Sequence, residues 1–395
     1  MRRSQRASAA ALVLVAINLR LAIAAVPPVL GEIRRSTGLG AAASGLLTAI
    51  PVFCFGVCAL ASPRLIRRLG RGPTLSLVLG GLAAGCLVRL LTPTAALFAG
   101  TAIIGAAIAV GNVVVPSVIK ADFPDARVLM TAFYSVALFI GGGVAAGLTV
   151  PLQHLLDVGW RVAVALWVLV ALVGLALWLP HAADGRGEPD GAPAPAAGGL
   201  GIGGLWRDLT AWAVTAFMGL QSLGYYATLS WIPTILESHG VSATTAGWLL
   251  SFSTLPGMLT ALATPLVERR MRRPGRLVLV ATGLLGAGYV GLLTGPTGPA
   301  AYLVMTLLGL GQGVSLSLAL GYIVARAPDA RRAAGLSTMA QSVGYMLAGT
   351  GPFLLGALHG ITGAWPVPIA LLIVLLVPFT LAGRFAAAPR FVGAP

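Results

Sequence analysis

Residues 9–31 read AAALVLVAINLRLAIAAVPPVLG, an apolar run with one amide, Asn18, and one arginine, Arg20, near its middle. As a helix rising ~1.5 Å per residue, the run is long enough to cross a bilayer core of ~30 Å. It follows Met1-Arg2-Arg3-Ser4-Gln5-Arg6, which has the look of a signal peptide. Arg20 interrupts the apolar stretch, however, and similar runs recur to the end of the chain, so the segment reads as an uncleaved first span. The other runs lie at about 42–62, 73–91, 95–119, 128–151, 161–179, 207–233, 243–267, 275–293, 297–325, 332–358 and 363–386.

The composition agrees. Of 395 residues, 57% are hydrophobic and 9% charged, more apolar surface than a soluble chain of this length can hide. The 52 glycines and 26 prolines suit membrane helices, where lipid holds the backbone helical. The net charge of +15 lies in short loops between apolar runs and forms no continuous face for nucleic acid. Cys54, Cys58 and Cys86 fall inside apolar runs and read as small hydrophobes, with no disulfide framework. Walker sequences, metal-ligand clusters and nucleophile constellations are lacking, so neither an enzyme nor a cofactor is expected. His154, His181, His239 and His359 are scattered over span ends and loops.

With the N-terminus in the cytoplasm, 21 Lys and Arg side chains fall on the cytoplasmic side and three, Arg34, Arg35 and Arg161, on the other. That asymmetry satisfies the positive-inside rule and places both termini inside. Three short matches recur at nearly one offset. Pro28-Val-Leu-Gly-Glu32 pairs with Pro233-Thr-Ile-Leu-Glu237, Pro63 with its Arg67-Arg68 pairs with Pro265 and Arg269-Arg270, and Pro124-Asp-Ala-Arg127 pairs with Pro328-Asp-Ala-Arg331. The chain therefore reads as an all-α membrane protein of about twelve transmembrane helices in two pseudo-symmetric six-helix halves. These are 1–179 and 207–395, joined by a Gly-, Pro- and Ala-rich cytoplasmic linker, 180–206, too polar to bury a core.

Side-chain amides are scarce. Apart from Gln5 and Gln153 they are Asn18, Asn112, Gln221, Gln312 and Gln341, in spans 1, 4, 7, 10 and 11. An amide facing lipid is costly, and the two places for it are a helix–helix hydrogen bond or a water-filled cavity. Concentration in a few spans favours a shared cavity. Arg20 is the strongest single signal, since a central arginine costs about 2.5–3.5 kcal/mol on insertion scales. No Asp or Glu lies deep in any span: Glu32, Glu237 and Glu268 are near span ends. An anionic or strongly polar solute would supply the missing partner, the alternative being carbonyls, amides and water. The repeat offset of 205 pairs Arg20 with Tyr225, and Gln221 shares a helical face with Tyr225. Gln341 and Tyr345 share a face of span 11 that matches the face of span 5 carrying Tyr134. Arg89, near the outer end of span 3, reads as snorkelling to the interface.

Several stretches together resemble the cyanate/nitroimidazole transporter family of the major facilitator superfamily. They are Asn18-Leu-Arg20, Gly45 to Gly56, Gly111-Asn112 running to Pro124, Gly219-Leu-Gln221 through Tyr225-Tyr226 to Pro233, Gly309-Leu-Gly-Gln312, and Met339-Ala-Gln341-Ser-Val-Gly-Tyr345. The loop Arg67-Arg68-Leu-Gly-Arg71 is similar to the superfamily motif Gly-x-x-x-Asp-Arg-x-Gly-Arg, but Pro63 stands for the Gly and Arg67 for the Asp. The resemblance therefore does not extend to an Asp-based latch. It implies alternating access in the cytoplasmic membrane, with helices 1, 4, 7 and 10 lining the centre and small anionic or polar nitrogen compounds as cargo. On that expectation Arg20 anchors the solute, Asn18, Asn112, Gln221, Gln312 and Gln341 orient it, and Tyr134, Tyr225 and Tyr345 shape the pocket of a monomeric carrier. The rival expectations are an exporter of small nitro-aromatic drugs and a membrane sensor without transport.

Overall fold

Every regular element of the computed structural model is helical among the described residues, 3–182, 202–271 and 275–393. In a bilayer only such a ladder satisfies every backbone N–H and C=O without water. Helix 1 is Arg3–Ala24, carried on through a 3-10 turn at Pro27–Val29 to Leu30–Thr37. Helix 2 is Ala41–Cys58, continued by Ala59–Ala61 and the amphipathic Ser62–Leu69. Helices 3, 4 and 5 are Arg71–Val88, Thr94–Asp122 and Arg127–Leu155. Helix 6 comes in two pieces, Trp160–Ala165 and Val168–Ala182. After a short turn of helix at Ile202–Leu205, helices 7 to 12 are Leu209–Ser238, Ala243–Arg270, Gly275–Leu293, Gly298–Ala325, Ala330–Thr362 and Pro366–Ala387.

Ten of the twelve are long and apolar enough to cross a membrane by length and composition alone. Helices 7 and 11 fall short of that apolarity, the first carrying Gln221, Tyr225 and Tyr226 and the second Gln341, Tyr345, His359 and several glycines. Such helices are tolerated where their polar groups face protein. Several helices outrun the expected spans; helix 7, for one, continues past 233 to Ser238. Apolarity ends at the membrane surface, whereas the hydrogen-bond ladder continues into water. Residues 183–201 of the expected linker, together with Arg2, Arg186, Arg272 and Arg273, lie outside the described residues.

Successive helices reverse direction, so the loops fall on two sides. One, the basic side, carries the arginine-rich turn around Arg67 and Arg71 and the start of helix 11. The opposite side carries the Pro27–Val29 turn. Helices 1–6 meet helices 7–12 along two seams, helix 2 against helix 11 and helix 5 against helix 8. Both seams bring backbone close to backbone. A Cβ on Gly45 would collide with the carbonyl of Pro352, and one on Gly247 would lie 2.6 Å from the carbonyl of Ala146. The turn Pro27–Val29 also packs on helices 7 and 8, so these close contacts join the halves at the opposite side.

Candidate functional site

Arg20 lies where the halves meet. Its guanidinium stands 5.8 Å from the centre of the Phe55 ring of helix 2, a cation–π contact. Among the described residues, the ionisable groups within electrostatic reach of it are phenols: Tyr225 and Tyr226 of helix 7, Tyr345 of helix 11 and Tyr134 of helix 5. Phenols are neutral at physiological pH, so they leave the charge uncompensated. One guanidinium nitrogen, Nη1, is buried with no hydrogen-bond partner. The residue is otherwise part-exposed.

The aromatic side chains form a connected wall. Phe55 makes edge contacts with Tyr226 at 6.1 Å and with Tyr345 at 5.5 Å between ring centres. Tyr225 and Tyr226 meet edge-on at 5.0 Å. Tyr134 Oη donates to Asn112 Oδ1 at 3.3 Å, which brings helix 4 into the same constellation. In this packing Phe55 and Tyr226 are buried, while Tyr134, Tyr225 and Tyr345 are half-buried and keep part of their rings open.

Of the residues expected at the site, Arg20, Asn112, Tyr134, Tyr225 and Tyr345 come together. Gln221 and Gln312 lie behind Tyr225, lining with it a small cavity inside the second half between helices 7, 9, 10 and 12. There Gln221 Nε2 donates to Ser222 Oγ at 2.6 Å, and Gln312 Nε2 donates to Thr228 Oγ1 at 2.7 Å. Gln341 Nε2 donates to Ser337 Oγ, one turn back on its own helix, at 2.8 Å. Asn18 corrects the expectation. It is 2% exposed, and its Nδ2 donates to the carbonyls of Leu14 at 2.9 Å and Val170 at 3.2 Å, tying helix 1 to helix 6. Residues two apart on a helix are ~200° apart, so Asn18 and Arg20 cannot share one face.

Phe55 and Tyr226 were not expected. Phe55 stands within the Gly45–Gly56 stretch and Tyr226 next to Tyr225, but an aromatic residue in an apolar run gives no sign of which way it faces.

Arg89 also departs from expectation. It is fully buried and does not snorkel. Its Nε donates to Thr101 Oγ1 at 3.1 Å and its Nη1 to the carbonyl of Ala22 at 2.8 Å. The reason lies in helix 1. Pro27 has no N–H, and the Val26 N–H turns to the carbonyl of Ile23 at 3.3 Å, leaving the Ala22 carbonyl without its helical partner. Arg89 fills that gap. Arg161 caps the end of helix 3 beside it, donating to the carbonyls of Leu91 at 2.8 Å and Thr92 at 2.9 Å.

A polar, aromatic-walled centre inside twelve membrane-crossing helices, with two halves meeting along close seams, defines a membrane transporter. Residues 11–352 match the sequence profile of the Major Facilitator Superfamily, and the chain belongs to that superfamily. Among its relatives it is similar to the "Uncharacterized transporter YycB" of Bacillus subtilis (strain 168), 38% identical over 96% of this chain and 93% of the relative. It is similar to the 2-nitroimidazole transporter of Escherichia coli (strain K12), 36% identical over 95% of each chain. It is also 31% identical to the cyanate transport protein CynX of the same organism, over 89% of this chain and 90% of that one. These relatives bear out the resemblance to the cyanate/nitroimidazole transporters. In fold the chain is similar to a bacterial homologue of the human lysosomal transporter Spinster, with a TM-score of 0.77 at 15% identity over the full length of both.

Proposed function

We propose that the protein carries a small anion or small polar solute, cyanate-like in size and charge, across the cytoplasmic membrane by alternating access. The observation that carries this reading is Arg20: a permanent cation at the junction of the halves, ringed by phenols, with a buried nitrogen lacking a partner. An anion there gains charge-assisted hydrogen bonds in a region of low dielectric. The relative named for cyanate transport supports this cargo class. The arginine asymmetry supports a cytoplasmic basic side and cytoplasmic termini. With the close inter-half contacts on the opposite side, the arrangement then corresponds to a cavity closed toward the outside. Asn112 and Tyr134 orient the solute, and Tyr225, Tyr226, Tyr345 and Phe55 confine it. The two halves, 1–179 and 207–395, rock against each other on the seams.

A second reading draws on the ring wall and on the relative named for 2-nitroimidazole. A planar nitro-aromatic places its ring against Tyr225, Tyr226 or Tyr345 and its nitro oxygens on Arg20. Uptake into liposomes, run with radiolabelled cyanate and competed with 2-nitroimidazole, separates the two. Saturable cyanate uptake that nitroimidazole fails to inhibit supports the anion reading. Transport of nitroimidazole with no cyanate flux refutes it.

A further inference from the structure

Arg89 has three guanidinium nitrogens. Nε and Nη1 are spent on Thr101 and Ala22, while Nη2 is buried without a partner. Arg89 borders a small cavity lined by helices 1 to 4 of the first half, with Thr48 and Thr101 among the residues, and by Tyr226, Leu229 and Ser230 of helix 7. The cavity thus spans the junction of the halves. The hydroxyls of Thr48 and Thr101 already donate to backbone carbonyls, of Gly45 and Leu97. Ser230 is buried and lines the cavity from the other half. Arg89 Nη2 is the donor left over on the first half, and Ser230 brings a hydroxyl from the second.

The place of this cavity is informative. Arg89 holds the carbonyl of Ala22, two residues past Arg20 along helix 1, and Pro27 also lines the space. The cavity therefore lies toward the opposite side from Arg20. Tyr226 belongs to both places, packing on Phe55 beside Arg20 and lining the Arg89 cavity.

We propose that the Arg89 cavity is a second station for a small monovalent anion, separated from Arg20 by the ring of Tyr226. An anion seated there accepts from Arg89 Nη2 on one half and from Ser230 Oγ on the other, so it touches both halves and is taken up as they part on that side. In the closed arrangement the space suits a water-sized occupant. Larger anions enter as the halves part. The inference rests on the anion reading of the central site, deepening it from one cation to two in series.

The test uses the full-length chain crystallised with bromide and examined by anomalous scattering. Peaks are expected beside both Arg20 and Arg89. In Ser230→Ala, which leaves the ties of Arg89 to helices 1 and 4 intact, the second peak weakens and the first stays. A peak at Arg20 alone, with none at Arg89, overturns the second station and leaves the central site standing. Absence of both overturns both. A transport arm follows in liposomes holding the protein in one orientation. Ser230→Ala and Arg89→Gln are each expected to raise the half-saturating cyanate concentration at least tenfold from the opposite side and less than twofold from the basic side. Equal shifts from both sides would mean that Arg89 only braces helices 1, 3 and 4, and the proposal fails.

Discussion

Arg20→Gln offers a test in which stability and affinity move in opposite directions. In the ligand-free protein Arg20 is held against a cost. Its Nη1 is a buried, unsatisfied donor, and such a donor costs about 1–3 kcal/mol, more when charged. The contact with Phe55 returns only ~0.5–2 kcal/mol. Replacing Arg20 with glutamine removes both contributions, so the ligand-free variant is expected to unfold at the same temperature as the parent or higher. The bound state changes the other way. One charge-assisted hydrogen bond to Nη1 is worth about 1.5–3 kcal/mol, so its loss weakens anion binding by ~10- to 150-fold. Arg20→Lys keeps the charge but loses the planar fork, and should fall between. The assay is thermal unfolding in detergent across a cyanate series, paired with uptake into liposomes. A variant that unfolds well below the parent while its affinity stays within twofold would show that Arg20 is a structural brace, and the anion reading would fall.

Tyr134→Phe removes the hydroxyl that donates to Asn112 while keeping the ring, and a loss of about 0.5–1.5 kcal/mol should appear as up to about a tenfold rise in the uptake KM. Asn18→Ala should lower thermal stability by about 1–3 kcal/mol, because one carbonyl bond within helix 1 and one from helix 1 to helix 6 are lost, and should leave the KM for uptake unchanged. A raised KM with unchanged stability would place Asn18 in the cavity after all. Gly247→Leu drives a side chain into the carbonyl of Ala146 and props helix 8 off helix 5. Ligand binding should survive while counterflow stops, and wild-type exchange by this variant would refute the role given to that seam.

Much of the fold was readable from the first 31 residues and their echoes, because lipid imposes a length and an apolarity that few other settings demand. Helices 7 and 11 were recognisable despite their polar content, since apolar residues flank Gln221 and Gln341 on both sides. Arg20 was visible for the same reason: a charge in such a setting is rare. Facing was harder to read. Asn18 lies two residues from Arg20, yet the sequence does not say which of the pair turns to the centre, and the helical turn forbids both. Phe55 and Tyr226 were hidden because rings serve packing and binding alike. The burial of Arg89 depended on a carbonyl set free 67 residues earlier by Pro27, a contact that no local pattern carries.

The seams between the halves bear on how fast such a molecule can cycle. At Gly45 against Pro352, and at Gly247 against Ala146, the touching surfaces are bare main chain. Long side chains at such a joint would each surrender about 1.5–2 kcal/mol of rotamer freedom on closing, whereas glycine and alanine surrender none. At these two points the joint behaves like a plain bearing, with little to disengage on parting and little to comb back into place. A cargo of a few atoms, with few contacts to offer, is then enough to decide which way the molecule leans.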